Sequence, residues 1–239
     1  MLLVDLGLAE SSRLAQALLM AGRVLVDGTP VTKAGALLDA SAMVEIEPPP
    51  PYVGRGGTKL AHALQEFDLE VADAVALDVG ASTGGFTDCL LQQGAERVYA
   101  LDVGHGQLDQ RLRDDPRVVV MERVNARHPF HLPEEVDVAT VDVSFISLTL
   151  VLPRVAEHVK EGGRIVALIK PQFEAARREV GRGGVVHDPK VHAAVLSRLV
   201  NWSVGRGFRL RGLTPSPILG DAGNREFFLW LEVGRSHRV

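Results

Sequence analysis

The stretch Leu77-Asp-Val-Gly-Ala-Ser-Thr-Gly-Gly-Phe-Thr-Asp88 decides the fold. The apolar residues Ala74 to Leu77, with Val79, enclose a carboxylate and run into a glycine-rich turn, after which a helical pattern begins. Strand, glycine turn and helix together open a nucleotide-binding half-fold. Working outward, further strand-like runs alternate with helical patterns: VALDV (75–79), RVYALDV (97–103), VVVM (118–121), DVATVDV (137–143) and RIVALI (164–169). Near-continuous β-branched runs of this kind mark strands buried on both faces of a parallel sheet. The tail changes character. GFRLRGLTPSPI (207–218), a turn at DAGN (221–224) and REFFLWLEV (225–233) leave no room for a helix between two strands, so these must form an antiparallel pair at the sheet's edge. The expected fold is α/β, a doubly wound Rossmann-like sheet with a C-terminal antiparallel hairpin.

Residues 1–47 read as a separate small α+β module. Helical spacing runs through Leu2, Leu3 and Leu6. Ser11 or Ser12 can cap a second helix that Gly22 ends, and RVLVDGTPV and VEIE supply strands around an Asp27-Gly28 turn. Two short helices followed by a small β unit resemble the alpha-L RNA-binding module named after the fourth small-subunit ribosomal protein. That resemblance makes Arg13, Arg23 and Lys33 the candidates for phosphate contacts, against a local charge of −3 from three basic and six acidic residues. The tetraproline Pro48–Pro51 and the glycines after it read as a linker over 48–58, stiff and then flexible. The main domain then occupies 59–239, with a helix from Lys59 onward.

Bulk properties narrow the class. The chain has 239 residues, 46% hydrophobic and 23% charged, enough for one sizeable core and a small module. No apolar run approaches the roughly 18 to 20 residues of a membrane span, and the start lacks a basic segment followed by an apolar signal core. Cys89 stands alone and reads as a small buried residue. A net charge of −4 argues against a protein that simply coats nucleic acid. A cytoplasmic enzyme is the expectation.

The glycine loop narrows the ligand. Without Gly-Lys-Ser/Thr it is no Walker loop, and Gly80, Gly84 and Gly85 depart from the dinucleotide spacing. Asp78, two residues before the first glycine, would repel a pyrophosphate and attract a cation. S-adenosylmethionine carries both an ammonium and a sulfonium. Asp78, Gly80, Ser82, Gly84 and Gly85 are therefore expected on its methionine side, Asp102 on its ribose hydroxyls and Asn125 at the adenine edge. Asp142 and Lys170 end neighbouring strands and so face the same crevice, and Lys59 and Glu226 are placed to join them from the two ends of the domain. His105, His128 and His187 offer no ligand spacing, and no metal is expected. Arg177, Arg178 and Arg182 follow Lys170 in a glycine-containing loop that either closes over RNA or is a solvated charge run.

The strings GRGGTKL, LDVGASTGGFTD, VYALDVGHGQL, VDVSFISL, IKPQFE, GGVVHDP and LTPSPILGDAGNREFFLWL resemble those of the TlyA (hemolysin A-like) family. The likeness spans essentially the whole chain, with Gly54 and Val124 departing where serine and threonine are commoner. It implies an FtsJ-like methyltransferase that acts on cytidine 2′-hydroxyls in ribosomal RNA of one or both subunits. It also implies a Lys-Asp-Lys-Glu tetrad at Lys59, Asp142, Lys170 and Glu226. A lysine is mostly protonated at neutral pH, so a lysine base needs burial or a second cation beside it. Lys170 is the expected base and Lys59 the neighbouring cation, with the two acids orienting the amines. Two other classes make opposite demands. A membrane-active hemolysin would need an apolar span or an amphipathic basic helix, and a non-catalytic RNA binder would carry a broken tetrad. The expected partners are ribosomal RNA or ribosomal subunits.

Overall fold

A computed structural model describes residues 2–39, 41–48 and 50–234. Pro49, within the tetraproline, and residues 235–239, at the end of the expected domain, lie outside them. The chain divides into two compact units between Pro51 and Tyr52.

In the first unit, α1 (Leu2–Asp5) and α2 (Ser12–Met20) precede β1 (Val24–Val26), β2 (Thr29–Pro30) and β3 (Val44–Ile46). Ser11 caps α2 by accepting from the Leu14 amide at 3.2 Å. Asp27 and Gly28 both adopt positive φ, 49° and 75°, as a two-residue hairpin turn requires. β1 is central and antiparallel to both neighbours. Leu3, Ala15, Leu18, Leu19 and Val24 form its core. Arg23, expected as a phosphate contact, is half-buried and also closes the module. Its Nε and Nη2 both donate to the Glu47 carbonyl, at 2.8 and 2.6 Å, tying the strand unit closed. Arg13 and Lys33 are exposed.

The second unit is built on a seven-stranded sheet. Its strands are β4 (Val75–Val79), β5 (Arg97–Asp102), β6 (Val118–Glu122), β7 (Val136–Val141), β8 (Val159–Ile169), β9 (Arg209–Pro215) and β10 (Phe227–Glu232). The order is β6-β5-β4-β7-β8-β10-β9, parallel through β8, with β10 antiparallel to both β8 and β9. Strand alternation splits the core into two layers. Leu77, Val79, Tyr99 and Ile165 face one side, with α6 (Leu148–Ala156) and α8 (Pro189–Gly205). Ala76, Val98, Val166 and Leu168 face the other, with α3 (Gly54–Glu66) and α4 (Gly85–Gln92). Two short helices, α5 (Gln110–Arg113) and α7 (Pro171–Glu174), lie at strand ends. The strand order reverses between β5-β4 and β4-β7, so the ligand crevice belongs outside the carboxyl ends of β4 and β7.

The boundary expected at Lys59 is corrected. α3 begins at Gly54, so residues 54–58 are helix rather than flexible linker. Glycine disfavours a helix by about 1 kcal/mol relative to alanine, but here close packing decides. A Cβ at Gly57 would run into the Tyr52 side chain and come within 2.9 Å of the Gly85 carbonyl oxygen, and one at Gly56 would lie 3.3 Å from the Phe86 ring. Those glycines let α3 approach the start of α4, which carries the glycine loop. Gly57→Ala is therefore expected to lower stability by about 1–3 kcal/mol through overpacking, although alanine is the better helix former. Urea denaturation checks this; a stabilised variant would mean that the helix contact yields freely.

Candidate active site

Four chain segments deliver the four expected catalytic side chains. α3 carries Lys59, Asp142 follows β7, Lys170 follows β8 and Glu226 precedes β10. Val141 pairs with Ala167, and Phe227 pairs with Ile169, so the sheet's own register brings Asp142, Lys170 and Glu226 to one end. Lys59 Nζ donates to Glu226 Oε2 at 2.6 Å, and both residues are under a tenth exposed. Lys170 Nζ lies 2.7 Å from Asp142 Oδ1 and donates to Ser144 Oγ at 2.8 Å. All four line one cavity of about 780 Å³. Each amine thus has its own carboxylate, and the cluster as a whole is close to neutral.

A second cavity of about 720 Å³ adjoins the first and contains Asp102, Gln107 and Asn125 in its wall. Gly80, Ser82, Asp142, Ser144, Phe145 and Phe173 line both. Asp102 ends β5, where it accepts from the Ser82 amide at 2.8 Å and the Gly104 amide at 2.6 Å while staying partly exposed. A carboxylate offers about four lone-pair sites, so acceptor capacity remains for a ligand diol. Asn125 is exposed, with Oδ1 accepting from the Arg127 amide at 3.0 Å.

Asp78 is corrected. Its side chain is fully buried and lines neither cavity. One carboxylate oxygen accepts from Thr87 Oγ1 at 2.7 Å and the other from Thr140 Oγ1 at 3.0 Å. It therefore stitches β4, α4 and β7 together beneath the glycine loop instead of meeting a ligand. Burial, with a smaller contribution from the Asp142 charge, pushes its carboxyl up to about 7. Two glycines also have packing reasons. A Cβ at Gly84 would lie 2.8 Å from Leu108 Cδ1, and one at Gly85 would lie 2.8 Å from the Val53 carbonyl oxygen. Gly84 lines neither cavity, whereas Gly80 and Gly85 do.

Arg177, Arg178 and Arg182 are exposed on two short 3-10 turns and are absent from the cavity walls, although Gly183 and Gly184 contribute to one of them. Their segment is tied down. Asn224, 2% exposed, accepts from the Val186 amide at 3.0 Å and donates to the Gly184 carbonyl at 2.9 Å. Sequence reasoning missed Asn224, Ser144 and Phe145. Thr140 and Thr87 were legible in principle, since a hydroxyl inside a buried run needs an acceptor. Phe145 gave no such signal: it lies in a bend after β7, with φ at 63° and 90% exposed.

A doubly wound sheet with a glycine loop, a strand-end carboxylate and a Lys-Asp-Lys-Glu cluster at one crevice is the architecture of a methyltransferase. Residues 52–233 match the FtsJ-like methyltransferase family and residues 1–44 the S4 domain. The chain belongs to the FtsJ-like methyltransferase family. Among its relatives is the 16S/23S rRNA (cytidine-2'-O)-methyltransferase TlyA of Mycobacterium tuberculosis, 46% identical, with 97% of this chain and 88% of the relative covered. Hemolysin A of Brachyspira hyodysenteriae is 42% identical over 92% of this chain and 93% of its own. The solved structure of a candidate hemolysin from Streptococcus thermophilus superimposes with a TM-score of 0.78 at 43% identity, covering 96% and 85% of the two chains. Among the described residues no helix is long and apolar enough to cross a membrane.

Asp78 yields a pH prediction. In the folded chain its carboxyl keeps its proton to about pH 7, whereas an unfolded aspartate releases it near about 3.9. The folded state therefore binds the extra proton between those values, and this group's contribution to stability falls as pH rises through the window. In Asp78→Asn that slope is expected to vanish, so its denaturation midpoint relative to wild type should be higher at about pH 8 than at about pH 5. A pH-independent difference between the two proteins would refute the buried, late-titrating carboxyl.

Proposed function

We propose that this chain transfers a methyl group from S-adenosylmethionine to a cytidine 2′-hydroxyl of ribosomal RNA. The observation that carries the reading is the convergence of Lys59, Asp142, Lys170 and Glu226 on one cavity whose wall is shared with a second cavity holding Asp102. S-adenosylmethionine, when bound, supplies an electrophilic methyl group on a sulfonium. In this reading Asp102 binds its ribose hydroxyls, the backbone of Gly80, Ser82 and Gly85 faces the methionine part, and Asn125 meets the adenine edge. Gly84 and Asp78 support the loop from behind.

A ribose hydroxyl is a poor nucleophile until its proton leaves. Lys170, acting as the amine, accepts that proton at Nζ, and Asp142 and Ser144 aim the nitrogen. Lys59 steers the anionic acceptor strand, and Glu226 fixes its ammonium. Much of the rate arises from holding oxygen, methyl carbon and sulfur in line. Phe145, exposed and paired with Phe173 at 4.8 Å between ring centres, offers a stacking face for the nucleotide base. The S4 domain, through Arg13, Arg23 and Lys33, and the exposed Arg177, Arg178 and Arg182 provide phosphate contacts to RNA or to an assembled subunit. This is the work of a cytoplasmic enzyme.

The test uses radiolabelled S-adenosylmethionine with unmodified ribosomal subunits and with extracted ribosomal RNA. Wild type is expected to place label on 2′-O-methylcytidine. Lys170→Ala should lower turnover by about 10²–10⁴-fold while still binding the cofactor. Absence of label on every substrate, with RNA bound equally by both proteins, would replace the enzyme reading by a non-catalytic RNA binder. A second variant addresses the base. Loss of one base–aromatic stack is worth about 1–3 kcal/mol, so Phe145→Ala should raise the KM for RNA by roughly 5- to 150-fold, and more than it changes cofactor affinity. An unaltered KM would remove Phe145 from the acceptor site.

A further inference from the structure

Asp142 and Lys170 sit just past the ends of β7 and β8, where ladder pairing has stopped: the register between these strands runs out at Val141 and Ala167. From Asp142 the chain continues through Ser144 and Phe145 to Ser147, the N-cap of α6. From Lys170 it turns through Pro171 into α7, which ends at Glu174. The 2.7 Å contact between Lys170 and Asp142 therefore depends on what holds these two departing segments together.

Three contacts link the two segments, the Lys170 contact itself and two beyond it. The first is Lys170 itself, on Asp142 and Ser144. The second is the Phe145–Phe173 pair, of which Phe145 is largely exposed. The third is the side chain of Glu174. Its Oε1 accepts from the Leu148 amide at 2.7 Å and its Oε2 from Ser147 Oγ at 2.8 Å. Leu148 opens α6, so the carboxylate caps an orphan amide at the positive end of a helix that belongs to the other segment. Ser147 cannot serve both ends alone. Its hydroxyl oxygen also accepts from the Thr149 amide at 3.2 Å and contacts Thr149 Oγ1 at 2.8 Å. Arg198 from α8 holds the Glu174 backbone by donating to its carbonyl oxygen. A carboxylate suits this place because it presents two acceptor oxygens to two donors, where an amide presents one.

We propose that Glu174 is a positioning residue for the Lys170–Asp142 pair, its carboxylate clamping the segment that follows the lysine onto the segment that follows the aspartate. The inference deepens the methyl-transfer reading and rests on it. Glu174 touches neither reacting group. It acts by fixing the direction from which Lys170 approaches the hydroxyl proton, and a misplacement of about 1 Å there can cost 10²-fold in rate.

The experiment compares wild type, Glu174→Gln and Glu174→Ala, with Val155→Ala as a control that loosens α6 in the buried core without touching the clamp. Hydrogen exchange of peptides covering residues 142–150 reports the clamp without any turnover. Kcat on ribosomal RNA and cofactor affinity report its use. The expected result is faster exchange and a kcat lowered by about 30- to 100-fold in Glu174→Ala. Glu174→Gln, which keeps one acceptor, should be intermediate. Cofactor affinity should stay within about threefold, and Val155→Ala should lose stability but keep its kcat. Unchanged exchange in Glu174→Ala, or an active wild type whose kcat survives Glu174→Ala, overturns the proposal. So does a kcat loss in Val155→Ala as large as in the clamp variants. If Glu174→Ala fails to fold, Glu174→Gln decides the same points. A wild type inactive on every RNA, with the exchange difference intact, sinks the methyl-transfer reading and leaves Glu174 a structural clamp only.

Discussion

Everything at the crevice depends on the parallel pairing of β4 with β7. The Asp142 amide donates to the Val79 carbonyl at 2.9 Å, which closes the last step of that ladder. One residue later the chain at Gly80 passes so close to the Asp142 backbone that a Cβ there would lie 2.9 Å from its carbonyl carbon. Gly80 also holds φ at 88°, a region glycine enters at little cost. The loop that would face the cofactor and the acid that would aim the lysine are therefore neighbours through the backbone. Their separation is set by hydrogen-bond geometry rather than by flexible side chains. For the proposed methyl transfer, which needs three atoms in line, this is a direct source of alignment.

Electrostatics follow from the same arrangement. Two lysines at one site would repel each other and hinder a cationic cofactor, yet each is matched by a carboxylate of its own. The Lys59–Glu226 pair is buried, and burial of two charges is compensated only by tight geometry. Space for the glutamate comes from Gly220, where a Cβ would lie 2.6 Å from Glu226 Cδ. Asp78 bears the opposite burden: a carboxylate removed from water, satisfied by two hydroxyls and by no cation. Its burial costs stability in the ionised form. In exchange three elements are fixed beneath the loop.

Most of the fold could be read from the sequence because its signals are local. β4 was bounded to the residue, and the two strands of the C-terminal hairpin were recognised from the missing helix between them. Where the reading failed, a tertiary contact had overruled a local preference. GRGG looked like a flexible joint, since nothing in those letters announces that Tyr52 and the Gly85 carbonyl will press against them. Asp78 looked like a ligand contact because its place before the glycines is visible, while the side to which it points is set by strand alternation against Thr87 and Thr140. The tetrad was named through family likeness and strand-end logic, and its pairing into two separate amine–acid couples emerged only from the fold.

The antiparallel hairpin adds the last constraint. Side chains alternate across a strand, so a one-residue slip of β10 against β8 would carry Glu226 to the opposite face and leave Lys59 buried without its acid. The turn before β10 guards against this. The Ser216 amide donates to the Glu226 carbonyl at 2.9 Å, directly fixing the residue in question. Two residues earlier, Asn224 is bonded on both sides to the 184–186 segment, and the Gly220 amide donates to its carbonyl at 2.8 Å. Register is thus held from the turn as well as from the ladder. The arginine-bearing segment and the strand that carries Glu226 share one anchor, so displacement of either would be felt at the buried ion pair.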